Sequence, residues 1–135
     1  MKDLIRVLEN EHVAIMDMLN AVRRKGVHTV EGRNELTEAS ELLCDHIKKE
    51  DEFLYPALHK FSNSDADLSE LLSGFEKDIK NLSSFCKKFF KKYSISGGGI
   101  EFLSDFDKLY SLLSKRIHNE ELYLYTKYKE KEQMK

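Results

Sequence analysis

The stretch Glu41-Leu-Leu-Cys-Asp-His46-Ile-Lys-Lys-Glu50-Asp-Glu-Phe-Leu-Tyr-Pro56 carries both a helical pattern and the residues that interrupt it. Leading into it, Leu36, Ala39 and Leu43 recur three and four positions apart. That spacing lines up one face of a 3.6-residue helix. The same face continues through His46 and Glu50 to Phe53, so two ionisable side chains fall where an apolar stripe should be buried. His46 and Glu50 are one helical turn apart, which lets both reach one ion or two adjacent ions.

Outward from this segment the chain is uniform. One proline (Pro56) and six glycines interrupt its 135 residues, and the sequence between them is rich in Leu, Lys and Glu at helical spacing. The spacing predicts helices over about 2–25, 31–61, 66–92 and 100–130, with Asp65 or Asp67 capping the third. The connections at Gly26 to Thr29, Ser62 to Asp65 and Ser94 to Gly99 are short, which suits antiparallel neighbours. The expected fold is therefore all-α, an up-down-up-down antiparallel four-helix bundle.

Composition narrows the function. The 22 Lys+Arg and 24 Asp+Glu leave a net charge of −2, which argues against nucleic-acid or membrane-surface binding by bulk electrostatics. No apolar run approaches the roughly 20 residues that span a bilayer, and the start lacks a signal-peptide core. Cys44 and Cys86 are too few for a disulfide framework and have no Cys-x-x-Cys spacing. The expectation is a cytoplasmic protein with no nucleic-acid or membrane partner; a protein partner is not specified. No nucleophile–base pair or phosphate-binding loop stands out, so a metal- or ligand-binding protein is favoured over an enzyme.

Each of the other helices also has a broken stripe. The first runs Leu4, Leu8, His12, Ile15, Leu19 and Val22. The third runs Leu68, Leu72, Glu76, Ile79, Leu82, Cys86 and Phe89, and the fourth Leu109, Leu113, Arg116, Glu120 and Leu124. Measured from the turns at 1.5 Å per residue, His12, His46, Glu50, Glu76, Arg116 and Glu120 share one height within a few residues. Six buried polar groups must satisfy one another or a bound ion. Two readings stay open at this level: a metal layer built from all four helices, or a closed ion-pair network in which Arg116 holds Glu50, Glu76 or Glu120.

The segment His46-Ile-Lys-Lys-Glu50-Asp-Glu-Phe-Leu-Tyr-Pro56 resembles the second-helix motif of the hemerythrin-like (HHE cation-binding) family. Glu11-His12-Val-Ala-Ile15 resembles its first-helix motif. The chain also repeats itself as that family does: Arg116-Ile-His-Asn-Glu120-Glu-Leu-Tyr-Leu-Tyr-Thr126 aligns with residues 46–56 without a gap, and Phe75-Glu76-Lys-Asp-Ile79 aligns with residues 11–15. The resemblance implies a single domain over residues 1–135 that binds one or two non-haem iron ions. It implies His12, His46, Glu50 and Glu120 as metal ligands, with the two glutamates bridging where two ions are present. Dioxygen, nitric oxide or peroxide would be the small ligand, or the protein would handle iron under stress.

Family members commonly carry histidine where this chain has Glu76 and Arg116. Glu76 can substitute, because carboxylate replaces imidazole at iron or manganese. Arg116 cannot, because its guanidinium stays protonated and has no lone pair to offer. A degenerate, metal-free bundle acting as a signalling or interaction module is the alternative, and a di-metal oxidase on Glu50, Glu76 and Glu120 a third. His118, about 200° round the helix from Arg116, should face solvent. Glu121 is an alternative to Glu120, and Tyr55, Tyr123, Tyr125 and Tyr128 read as core or rim aromatics.

Overall fold

The computed structural model describes residues 3–95 and 99–134. Its helices are α1 (Leu4–Lys25), α2 (Val30–Lys49), α3 (Tyr55–Ser62), α4 (Ala66–Tyr93), α5 (Glu101–Asn119) and α6 (Tyr125–Gln133). Two π turns, Glu50–Leu54 and Glu120–Leu124, join α2 to α3 and α5 to α6. The result is an all-helical bundle of four rods, with no strand among the described residues. Gly97 and Gly98, part of the expected third connection, lie outside the described residues. No described helix is long and apolar enough to cross a membrane.

Local chemistry sets the ends of the rods. α1 stops at Gly26, whose φ of 74° favours glycine. The chain then turns so tightly that a Cβ on Gly32 would sit 1.6 Å from the Gly26 carbonyl oxygen. Thr29 caps α2 by accepting from the Gly32 N–H at 3.0 Å, and Asp65 caps α4 by accepting from Leu68 at 3.1 Å. Neighbouring rods run in opposite senses where contacts fix them. Arg116 of α5 reaches Phe75 of α4, while Lys108, two turns earlier on α5, lies over Phe85. Likewise Glu11 of α1 meets His46 of α2, and Lys25 meets Glu35.

The core is in two parts. One apolar cluster centres on Ile15, Leu19, Leu36, Phe89, Phe106 and Leu109. The other centres on Leu4, Leu8, Leu54, Leu58, Leu68, Leu72 and Tyr125. His12, His46, Glu50, Arg116 and Glu120, all buried, lie on the same stripes between the residues that supply the two clusters.

The π turns correct one expectation. In each, an N–H bonds five residues back, Tyr55 to the Glu50 carbonyl and Tyr125 to the Glu120 carbonyl. A π turn adds one residue to the helical repeat and advances the buried face by one position. Phe53, expected on the inward stripe, is therefore 46% exposed, and Leu54 and Leu58 are fully buried instead. Pro56, with no N–H to give, falls in the first turn of α3, where that loss is tolerated. Leu54→Ala should accordingly cost about 2–5 kcal/mol of folding stability and Phe53→Ala less than about 1 kcal/mol, as read from urea denaturation. Equal losses would contradict the shifted face.

Candidate metal centre

Each buried group reaches the central layer from a different part of the bundle. His12 comes from the middle of α1, His46 from the last turn of α2, and Glu50 and Glu120 from the first residue of each π turn. One ligand atom from each of these four residues lies within 4.8 Å of the others. The π turns thus start at the carboxylates themselves, at matching positions of the internal repeat.

The two histidines are held alike. His12 Nδ1 donates to Glu121 Oε2 at 2.7 Å, and His46 Nδ1 donates to Glu11 Oε1 at 2.9 Å. Ionised carboxylates only accept, so Nδ1 carries the proton in each ring. In the neutral tautomer both Nε2 lone pairs then face the layer. His12 Nε2 lies 3.1 Å from Glu120 Oε1 and 3.2 Å from the Tyr125 hydroxyl. His46 Nε2 is buried without a hydrogen-bond partner, 3.5 Å from Glu50 Oε2. A buried ring nitrogen left open, among carboxylates, beside a ring oriented by an outer carboxylate, is the arrangement metal-ligating histidines adopt. Imidazole and carboxylate together suit iron, manganese or zinc. The residues fit an ion.

Arg116 fills the adjoining space. Its Nε donates to Glu120 Oε2 at 3.2 Å, Nη1 to the Phe75 carbonyl at 2.9 Å and Nη2 to the Tyr55 hydroxyl at 2.9 Å. The guanidinium also lies 4.7 Å from the centre of the Phe75 ring. The buried cation is thus paired and bonded on all three nitrogens. Tyr125 donates to Glu50 Oε2 at 2.8 Å.

Sequence reasoning misplaced one member of the layer. Glu76 is not brought into it: its side chain is 46% exposed, and Oε1 sits 2.5 Å from His59 Nε2 in an ion-pair contact without hydrogen-bond alignment. Phe75, one position earlier and about 100° round α4, is buried there instead. Its carbonyl and ring supply what Arg116 needs. The expected stripe ran one residue off, because Leu68, Leu72 and Phe75 continue at i, i+4 and i+7 just as well as Glu76 at i+8. The outer residues Glu11 and Glu121 were not recognised as partners of the rings, although each is adjacent in sequence to a layer residue. Tyr55 and Tyr125 are more than packing aromatics, since both hydroxyls bond into the layer. His118 is exposed, and Cys44 and Cys86 are free, the second with its thiol pushed up to about 12 by burial and by Cys44 nearby.

The layer's charges act on one another. Burial pulls the His46 imidazolium down, but the close Glu50 carboxylate, the hydrogen bond to Glu11 and the Glu120 charge outweigh it and hold His46 above its usual 6.5. Glu50 is burdened by burial yet kept below the ordinary carboxylate value by His46, Tyr125 and His12. Glu120 goes the other way: burial and the Glu50 charge raise it despite His12 and Arg116. Burial, with Glu120 and Glu50, drives the Tyr125 phenol far upward, so it stays protonated as a donor.

Two measurements on metal-stripped protein check this account. Arg116→Ala should destabilise it by about 3–5 kcal/mol in chemical denaturation, because Glu120 stays buried without the permanent cation that neutralises it. Protonated His46 stabilises the fold fully below 6.5, and that gain is lost as pH rises through its raised native value. An NMR titration should place the His46 midpoint above 6.5 and show Glu50→Gln lowering it.

The family model described as the hemerythrin HHE cation binding domain matches residues 3–128. Comparison with curated proteins and with solved structures returned no match. The matched span covers α1 through the first turn of α6 and includes all four converging donors. The chain belongs to the hemerythrin HHE cation-binding domain family.

Proposed function

We propose that this chain is a hemerythrin-like non-haem iron protein that holds a single ion on His12, His46, Glu50 and Glu120. We also read residues 1–135 as one up-down-up-down domain working in the cytoplasm, in keeping with the family match and the unpaired cysteines. The observation that carries the metal reading is the open, buried His46 Nε2 among three further donors, with both histidine rings anchored by outer carboxylates. When bound, iron supplies a Lewis-acidic, redox-active centre.

Charge supports one ion over two. Glu50, Glu120 and Arg116 sum to −1 in a buried site, so a divalent ion leaves +1 and a second would leave +3. Arg116 already uses Glu120 Oε2 and stands on the side where α4 and α5 would have to supply further ligands. Glu76 remains outside, paired with His59.

The small ligand is dioxygen, nitric oxide or peroxide, or the role is iron handling under stress. A cavity of about 30 Å³ beside the donors, walled by Ile15, Leu43, Leu113 and Ile117, supports the first. It has room for about two water-sized atoms and offers apolar walls. Here Tyr125 would steady Glu50, while Glu11 and Glu121 would fix the rings and hold their Nδ1 protons. The Arg116–Glu120 pair favours a second reading, a metal-free interaction module.

Iron content after identical reconstitution tests the reading. Wild type should hold one iron per chain, His46→Ala should lose most of it, and His118→Ala should lose none. Arg116→His should raise the content toward two. Equal loss in both histidine variants would sink the ligand assignment, and a wild type that takes up no iron would leave the metal-free module.

A further inference from the structure

The geometry points to a surface for a second copy of this chain, in the cleft between α4 and α5. We propose that two copies pair end for end across it, an inference independent of whether iron is bound. The cleft has a volume of about 950 Å³ and is open to solvent. Its floor is apolar, from Leu71, Phe75, Leu82 and Phe85, and Arg116 closes the base. Leu112 and Tyr123 on the α5 side are 36% and 49% exposed.

The charge along the cleft identifies the occupant. Asp67 and Glu70 line the end where α4 begins, and Lys108 lines the other end beside Phe85, its Nζ 4.9 Å from that ring's centre. Between them Asp78 and Lys115 offset each other, and Arg116 is already neutralised by Glu120. Glu70 and Phe85 are 15 residues apart on α4, so the acidic and basic ends are separated by about 22 Å. A small ligand does not bridge that distance. A second copy rotated by a two-fold axis through the middle of the cleft does. Its Lys108 end meets Glu70 and its Glu70 end meets Lys108, which is the self-complementarity an isologous dimer requires. Pairing in the same direction would set acid on acid.

The cleft permits close approach near its acidic end. Gly74 lies mid-helix in α4, where glycine weakens a helix. A Cβ added there would meet nothing within 4 Å, so packing within one copy does not call for glycine. Four residues from Glu70 within the proposed interface, it leaves a flat surface for the partner's α4 or α5.

Sedimentation equilibrium on the full chain, across a wide concentration range at low and high salt, tests the proposal. Wild type should dimerise, more weakly at high salt. Lys108→Glu and Glu70→Lys should each raise the dimer dissociation constant about tenfold or more. An equimolar mixture of the two variants should restore dimerisation, since both ends of the mixed pair are then opposite in sign. Gly74→Arg, which disturbs no contact within one copy, should also weaken it. Circular dichroism should show all variants equally helical. A wild type that stays monomeric throughout would overturn the proposal, as would dimers indifferent to all three substitutions or a mixture that fails to recover.

Discussion

His12, His46, Glu50, Arg116 and Glu120 are each at most 8% exposed, and they sit between two apolar clusters that offer them no water. An unpaired charge in such a place costs several kcal/mol, so the rest of the bundle is arranged to satisfy these five groups. Glu11 and Glu121 hold the rings from outside, Tyr125 serves Glu50, and Tyr55 with the Phe75 carbonyl serves Arg116. One polar atom, His46 Nε2, is left open at the centre of this otherwise satisfied layer. An ion would complete it.

The two π turns are part of the same arrangement. Each begins at a layer carboxylate, and each brings a buried leucine four residues on and a layer tyrosine five residues on: Leu54 and Tyr55, Leu124 and Tyr125. A regular α-helix would carry the face from Glu50 to Phe53 or Leu54 and turn Tyr55 away from the layer. The extra residue therefore lets one rod continue its apolar face while delivering a phenol to the site. The internal repeat places this device twice, once to bond Arg116 and once to bond Glu50.

Much of this was legible in the sequence, for identifiable reasons. The stripes of α1 and of α5 through Leu124 are regular, so His12, Arg116 and Glu120 could be set inward from spacing alone, and His46 and Glu50 followed from α2. Phe53 was misassigned because hydrophobic periodicity assumes a constant 3.6-residue turn, and nothing in Glu50–Leu54 announces a π turn except its likeness to Glu120–Leu124. Glu76 was misassigned because α4 has apolar residues at both i+7 and i+11 from Leu68, leaving the register ambiguous at the turn between. Arg116 resolved it by requiring a carbonyl and a ring, which Phe75 offers. The outer carboxylates Glu11 and Glu121 carry no periodic signal and emerge only when the rods are packed.

In the proposed reading, Arg116 separates this site from a symmetrical two-ion layer. It brings a permanent positive charge to the place where a second ion would need ligands, and it satisfies Glu120 in advance. X-ray absorption at the iron edge of the reconstituted protein distinguishes one ion from two. A single bound ion gives a shell of nitrogen and oxygen ligands with no iron–iron distance. A metal–metal vector at roughly 3.5–4 Å, as two-metal sites show, would contradict it.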